Sequence, residues 1–176
     1  MAKELSKQEL LNQIEETASK CERASGGCGR CCLTTVMQHL KLADDPTIEM
    51  FRKAAFPFSG GIVQEKETCG ALLGGLMAIG IAFFSGKVED SEHNDRMELL
   101  KLGRQYYRGF EKEIGHVRCY DIREVALGRC FDTVDPDEFA RFDAAGGHEV
   151  LCPQVVGKAA RLAAEFILDV RQQTKG

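Results

Sequence analysis

The chain has 176 residues, 44% hydrophobic and 28% charged, and a formal net charge of −4 at pH 7. This composition excludes a disordered chain and suits one soluble domain with a core of its own. A mildly acidic chain without a Lys/Arg cluster carries no electrostatic footprint for nucleic acid or an anionic membrane surface.

From the amino end, Ser6-Lys7-Gln8-Glu9 has the form of a capping box. Leu10, Ile14, Ala18 and Cys21 then recur at helical spacing, and Gly26-Gly27 stops this first helix. Gly29 leads into a second helix from Arg30 to Leu40. Its apolar stripe at 32, 33, 36, 37 and 40 places Cys32 in the first turn. Asp44-Asp45-Pro46 is a stop and a restart, with Asp45 as cap and proline at the first helical position. The short third helix turns Ile48, Phe51 and Ala55 inward. Phe56-Pro57-Phe58-Ser59-Gly60-Gly61-Ile62 reads as a loop bringing two aromatic rings against the core.

Thr68 to Phe84 is the longest uncharged run, apolar on nearly every face, and is expected to form a helix buried all round. The 16 residues from Cys69 to Phe84 fall short of a membrane span, which needs about 20. With Thr68 as N-cap, Cys69 takes the first helical position, where the helix dipole favours thiolate. Gly70, Gly74, Gly75 and Gly80 each cost about 1 kcal/mol of helix propensity relative to Ala. Close approach of another helix or a bulky cofactor would justify them, and the same small-residue face would suit a homodimer contact. The plain alternative is a core helix with an inert cysteine.

A long amphipathic helix follows from Ser91, with Met97, Leu100, Tyr107, Phe110 and Ile114 inward and Leu99, Leu102 and Tyr106 widening the stripe; Gly115 ends it. Asp121 to Leu127 has room for two turns. Asp135-Pro136-Asp137-Glu138 starts another helix, which Gly146-Gly147 stops. Cys152-Pro153 opens the last, with Val156, Ala159, Ala160, Ala163, Ile167 and Val170 on one face. No period-two run of strand length occurs. The expected fold is all-α, a single-domain bundle of roughly six to eight helices over residues 1–176.

Eight cysteines is a high count. The charged amino terminus lacks the apolar core of a signal peptide, so a cytoplasmic location is expected. There, metal binding or redox chemistry is a better reading of the cysteines than a disulfide framework. Cys32, Cys69, Cys119 and Cys152 fall at predicted helix starts, where open N–H groups and the dipole stabilise thiolates as nucleophiles or ligands. Cys21 and Cys130 suit the role of small hydrophobes. Cys28-Gly29-Arg30-Cys31 has redox or ligand spacing, but a thioredoxin-like motif would need a βαβ context. Position 32 is cysteine where c-type haem attachment needs histidine. His116 and His148 precede Cys119 and Cys152 by three and four residues and stand within reach of a cysteine site. No phosphate loop, dinucleotide fingerprint or serine-hydrolase elbow is present.

Cys69-Gly70-Ala71-Leu72-Leu73-Gly74 and its continuation resemble a family of redox-active proteins marked by a Cys-Gly-Ala-x-x-Gly motif and four shared cysteines. That family is related to a domain of split-Soret cytochromes c. Gly29-Arg30-Cys31-Cys32-Leu33-Thr34-Thr35-Val36 is similar to the family's Gly-x-Asn-Cys-Ala-Gln-x-Val. This picks Cys32, with Cys31 where asparagine is usual and the choice between 31 and 32 open. Ser59-Gly60-Gly61-Ile62, Cys119 and Cys152-Pro153-x-Val155-Val156 resemble the remaining segments, so the resemblance spans roughly residues 20–170. It implies redox activity and an iron–sulfur centre without haem. On this expectation Cys32, Cys69, Cys119 and Cys152 ligate a 2Fe–2S cluster in an electron-transfer or redox-sensing module that serves a redox partner protein. Two alternatives stay open: a metal-free thiol–disulfide protein with Cys69 as attacking thiolate, and a structural zinc site. The roles of Cys21, Cys28, Cys31 and Cys130 are not assigned.

Overall fold

Helices account for the regular structure of the computed structural model, which describes residues 5–84 and 93–173. Eight α-helices occur among them: α1 (Lys7–Ser25), α2 (Cys28–His39), α3 (Asp45–Ala54), α4 (Gly70–Phe83), α5 (His93–Ile114), α6 (Cys119–Leu127), α7 (Pro136–Ala144) and α8 (Cys152–Gln173). A 3₁₀ turn, Phe56–Phe58, follows α3, and a π turn, Gly147–Leu151, runs directly into α8. The fold is all-α, as the periodicity predicts. No helix among the described residues is long and apolar enough to cross a membrane.

Local signals explain most boundaries. Ser6 and Glu9 form the capping box of α1. Asp44, rather than Asp45, caps α3 by accepting from the Thr47 N–H, and Asp135 caps α7 by accepting from Asp137 and Glu138. The start of α5 near Ser91 lies outside the described residues.

Helix α8 is the hub and packs on α1, α2, α4 and α5. Its small buried face of Ala159, Ala160, Ala163 and Ala164 allows this density of neighbours. Helices α1 and α8 run antiparallel. Lys7 pairs with Asp169 at one end, Arg161 Nη1 donates to Asn12 Oδ1 at 2.7 Å midway, and Ser19 Oγ donates to the Pro153 carbonyl at 2.8 Å at the other. Cys21 and Cys31 form a disulfide joining α1 to α2. Cys21 is therefore a covalent tie and not merely a small hydrophobe, because a Cα–Cα separation of 5.6 Å lets the two residues bridge.

The central helix α4 differs from expectation in two respects. Its cap is Cys69, one residue later than Thr68. It is buried along its first turns at Gly70, Ala71, Leu72, Gly74 and Gly75, but half-exposed from Gly80 to Phe83. Burial continues through Ala78 and Ile79 and loosens only over the last turn. The glycines do admit close neighbours. A Cβ at Gly74 would strike the Gly29 carbonyl and lie 3.1 Å from Cys32 Cβ, and one at Gly75 would strike the Tyr106 hydroxyl.

Helix α5 turns Tyr106 and Phe110 into the core, whereas Met97 and Leu100 are 42% and 65% exposed. Both lie on the expected stripe. Its apolar band is wider than the contact that α4 and α8 offer, so packing selects one edge of it. In the loop before α4, Phe58 packs against the core but Phe56 is exposed and lies beneath the Arg30 guanidinium.

Gly74→Ala reverses the usual sign of a helix substitution. Propensity favours alanine by about 1 kcal/mol, yet the new Cβ must displace the α2 backbone, and overpacking costs about 1–3 kcal/mol. Urea denaturation is expected to show a net loss of stability. Reducing the Cys21–Cys31 bond, which spans 10 residues of sequence, is expected to lower unfolding free energy by about 2–3 kcal/mol in the same measurement.

Candidate metal centre

Residues 60–66 form a strained wall beside α2, α4 and α6. Gly60, Gly61, Ile62, Val63, Gln64 and Lys66 all have positive φ, between 44° and 75°. For β-branched Ile62 and Val63 this backbone costs on the order of 1–3 kcal/mol each. The loop is held by hydrogen bonds from Lys66 N–H to the Gly60 carbonyl and from Glu67 N–H to the Gly61 carbonyl, both 3.0 Å. It then pairs with the start of α6. Thr68 and Arg118 form an isolated antiparallel bridge, Cys119 N–H donates to the Glu67 carbonyl at 2.7 Å, and Cys69 N–H donates to the Val117 carbonyl at 2.8 Å. These bonds fix Cys69 and Cys119 relative to each other.

A cavity of about 280 Å³ opens between this wall, the α1–α2 turn, α6, α7 and the start of α8. Cys28, Cys69, Cys119 and Cys152 all line it, and all four are free thiols. Cys28 is the first residue of α2, Cys69 caps α4, Cys119 is the first residue of α6, and Cys152 opens α8 from the π turn. Three of the four residues expected from the sequence thus line one cavity. Cys32 does not join them: it is fully buried one turn along α2, beside Gly74. Cys28 stands at the cavity in that position. The signal for Cys28 was present, since Gly26-Gly27 ends α1 and α2 can begin at once. Gly27, at φ 93°, makes the left-handed turn that lets it do so.

Of the two histidines near cysteines, His148 lines the cavity, whereas His116 lies in a separate surface groove beside α6 and α8. Cys130 is half-buried and is not among the lining residues. Periodicity gave no sign of two charged residues that also line the cavity, Glu22 and Arg123. They are 5% and 4% exposed, and Glu22 Oε2 and Arg123 Nε have no hydrogen-bond partner. Glu22 falls on the inward stripe of α1, where a charged side chain reads as an exception with no visible cause.

The expected lowering of thiol pKa at helix starts is overturned. Burial pushes the Cys28 thiol up to about 12, with the Glu22 charge adding to the effect and the Gly60 N–H opposing it. Burial likewise raises Cys69, against donation from the Leu72 and Ala71 N–H groups. Cys119 and Cys152 are also raised by burial, with the Arg123 charge opposing. At these buried sulfurs, the cost of desolvating a thiolate exceeds what a helix terminus returns. Without a cation at the sulfurs, these thiols are protonated and poor nucleophiles. The arrangement is suited instead to a group whose positive charge displaces the protons.

A family model described as "Putative redox-active protein (C_GCAxxG_C_C)" matches residues 27–166. The matched region contains every cysteine except Cys21. No curated protein and no solved structure matches the chain.

Glu22 makes stability depend on pH. Burial raises its carboxyl to about 7 from an ordinary 4.5, with the charges of Arg30 and Arg123 opposing. Between those values the folded state holds a proton that the unfolded state has lost, so stability falls as pH rises, by about 3 kcal/mol in total. In metal-free protein, Glu22→Gln is expected to remove this decline. Urea unfolding across that range, compared with the wild type, provides the check.

Proposed function

The chain belongs to this redox-active protein family, and on that basis we propose that it is a redox module in which Cys28, Cys69, Cys119 and Cys152 hold a 2Fe–2S cluster. One observation carries the reading: four free cysteines from the beginnings of four helices line a single cavity. The donor set fits such a group. Four cysteine sulfurs are its usual complement, and buried, high-pKa thiols bind a cation at the expense of their protons. When bound, the cluster supplies one-electron storage. The protein's part is to exclude water, hold the sulfurs on separate rigid helices and direct N–H groups at them. The Gly60 N–H faces Cys28, and those of Ala71 and Leu72 face Cys69. Such donors stabilise the negative charge that arrives with an electron.

This reading takes Cys28 where the sequence pointed to Cys32. It makes the chain an electron-transfer or redox-sensing module that exchanges electrons with a partner protein. A cytoplasmic setting would keep the four cavity thiols available for ligation and would also expose the Cys21–Cys31 bond to reduction. A metal-free thiol–disulfide cycle with Cys69 as nucleophile is less well supported, because burial keeps that thiol protonated.

Protein purified without oxygen is expected to be brown, with iron and acid-labile sulfide in equal amounts. Cys28→Ser is expected to lose the colour, while Cys32→Ser keeps it despite some loss of stability. Zinc in place of iron on elemental analysis would replace the cluster by a structural metal at the same cysteines. Colour lost in Cys32→Ser and kept in Cys28→Ser would move the first ligand back to Cys32. A colourless anaerobic protein that iron and sulfide cannot reconstitute would refute the proposal.

A further inference from the structure

The four sulfurs do not explain the buried cation beside them. Arg123 lines the same cavity, is 4% exposed, and stacks with its guanidinium carbon 4.5 Å from the centre of the Phe142 ring. Its Nη1 donates to Thr133 Oγ1 at 3.4 Å, and Thr133 in turn donates to Gln64 Oε1 at 2.6 Å. This neutral network orients the guanidinium without neutralising it. The buried Nε–H has no acceptor. Glu22, the other buried charge at the cavity, attracts Arg123, but its Oε2 has no donor, so these two atoms make no hydrogen bond with each other.

A guanidinium does not shed its proton in a protein, and burying one without an anion is costly. The site itself provides the anion. Four cysteine thiolates bring four negative charges, whereas a divalent zinc ion or an oxidised 2Fe–2S core brings two positive ones. A surplus of negative charge is left at the cavity.

We propose that Arg123 is the countercharge of this centre: a positioning residue that offsets the surplus negative charge of the sulfurs and so strengthens metal binding and favours the reduced state. The proposal rests on the four-cysteine reading above. It assigns the Phe142 stack and the Thr133–Gln64 network the task of holding the charge in place. It also gives a charge partner to a guanidinium whose Nε–H is otherwise without an acceptor.

The test uses cobalt(II) as the probe on the metal-free, full-length protein, read by the intensity of thiolate-to-cobalt absorption. Wild-type protein is expected to bind with thiolate-to-cobalt bands. Arg123→Met, which can still pack on Phe142, is expected to bind about tenfold or more weakly, in the range found when partners of metal ligands are removed. Arg123→Lys is expected to recover most of that affinity. In the anaerobically loaded protein, the midpoint potential of Arg123→Met should move to more negative values, and that of Arg123→Lys should stay near the wild type. Equal cobalt affinity and equal potential in Arg123→Met would overturn the inference while leaving the four-cysteine site standing. Loss of affinity in both variants alike would reduce Arg123 to a packing role. Failure of the wild-type protein to give thiolate bands would overturn the four-cysteine reading and this inference with it.

Discussion

The contact between the backbones of α2 and α4 is the constraint on which the rest depends. Gly29 lies against the Gly70 carbonyl, and Gly74 against the Gly29 carbonyl. Helices touch this closely only where neither carries a side chain at the crossing. The crossing lies in the first turn of each helix, so their amino ends, and with them Cys28 and Cys69, open at the same point. Gly70 has a further part, because a Cβ there would lie 2.5 Å from Cys28 Sγ. The run Cys69-Gly70-Ala71-x-x-Gly74 therefore has a direct physical content. It is a cysteine at a helix cap, then room for a second sulfur, a buried small residue, and room for the other helix.

The two remaining cysteines arrive by different routes. Cys119 is tied to Cys69 through main-chain hydrogen bonds that join the Glu67–Cys69 segment to Val117–Cys119. Among the described residues, this antiparallel contact is the one place where the chain uses sheet-like pairing. It closes a loop whose positive φ angles run through two β-branched residues. Backbone strain of this kind persists only where the surroundings over-determine it, and here the ends of the loop are fixed by α4 and α6. Cys152 comes with α8, the most extensively packed helix, so its position is set by the core rather than by a loop.

The electrostatics of the site result from a contest between helix termini and burial. Each helix start offers open N–H groups and a partial positive charge, while each sulfur sits where water is scarce. Burial dominates at every cavity cysteine, and the bare site is a set of neutral thiols beside the Arg123 cation and one high-pKa carboxyl. The same dryness that suppresses nucleophilic reactivity strengthens every charge interaction once a metal is bound. The function proposed for the chain follows from that reversal.

The sequence by itself determined the helical class, the capping of α1 and α7, the breaks at Gly26-Gly27 and Gly146-Gly147, and the importance of Cys69, Cys119 and Cys152 as residues at helix starts. These are local properties, written in spacing of apolar residues and in side chains that cap their own backbone. Only the tertiary structure decided that Cys28 and not Cys32 faces the cavity. Four residues along one helix separate a sulfur at the cavity from one sealed against α4, and the apolar stripe cannot say which is which. Nor could spacing reveal Glu22 and Arg123, on helices about a hundred positions apart in sequence, or the edge of α5 that turns inward. Contacts of that kind arise when helices dock, and the sign of a thiol's pKa shift depends on how much water the docking leaves behind.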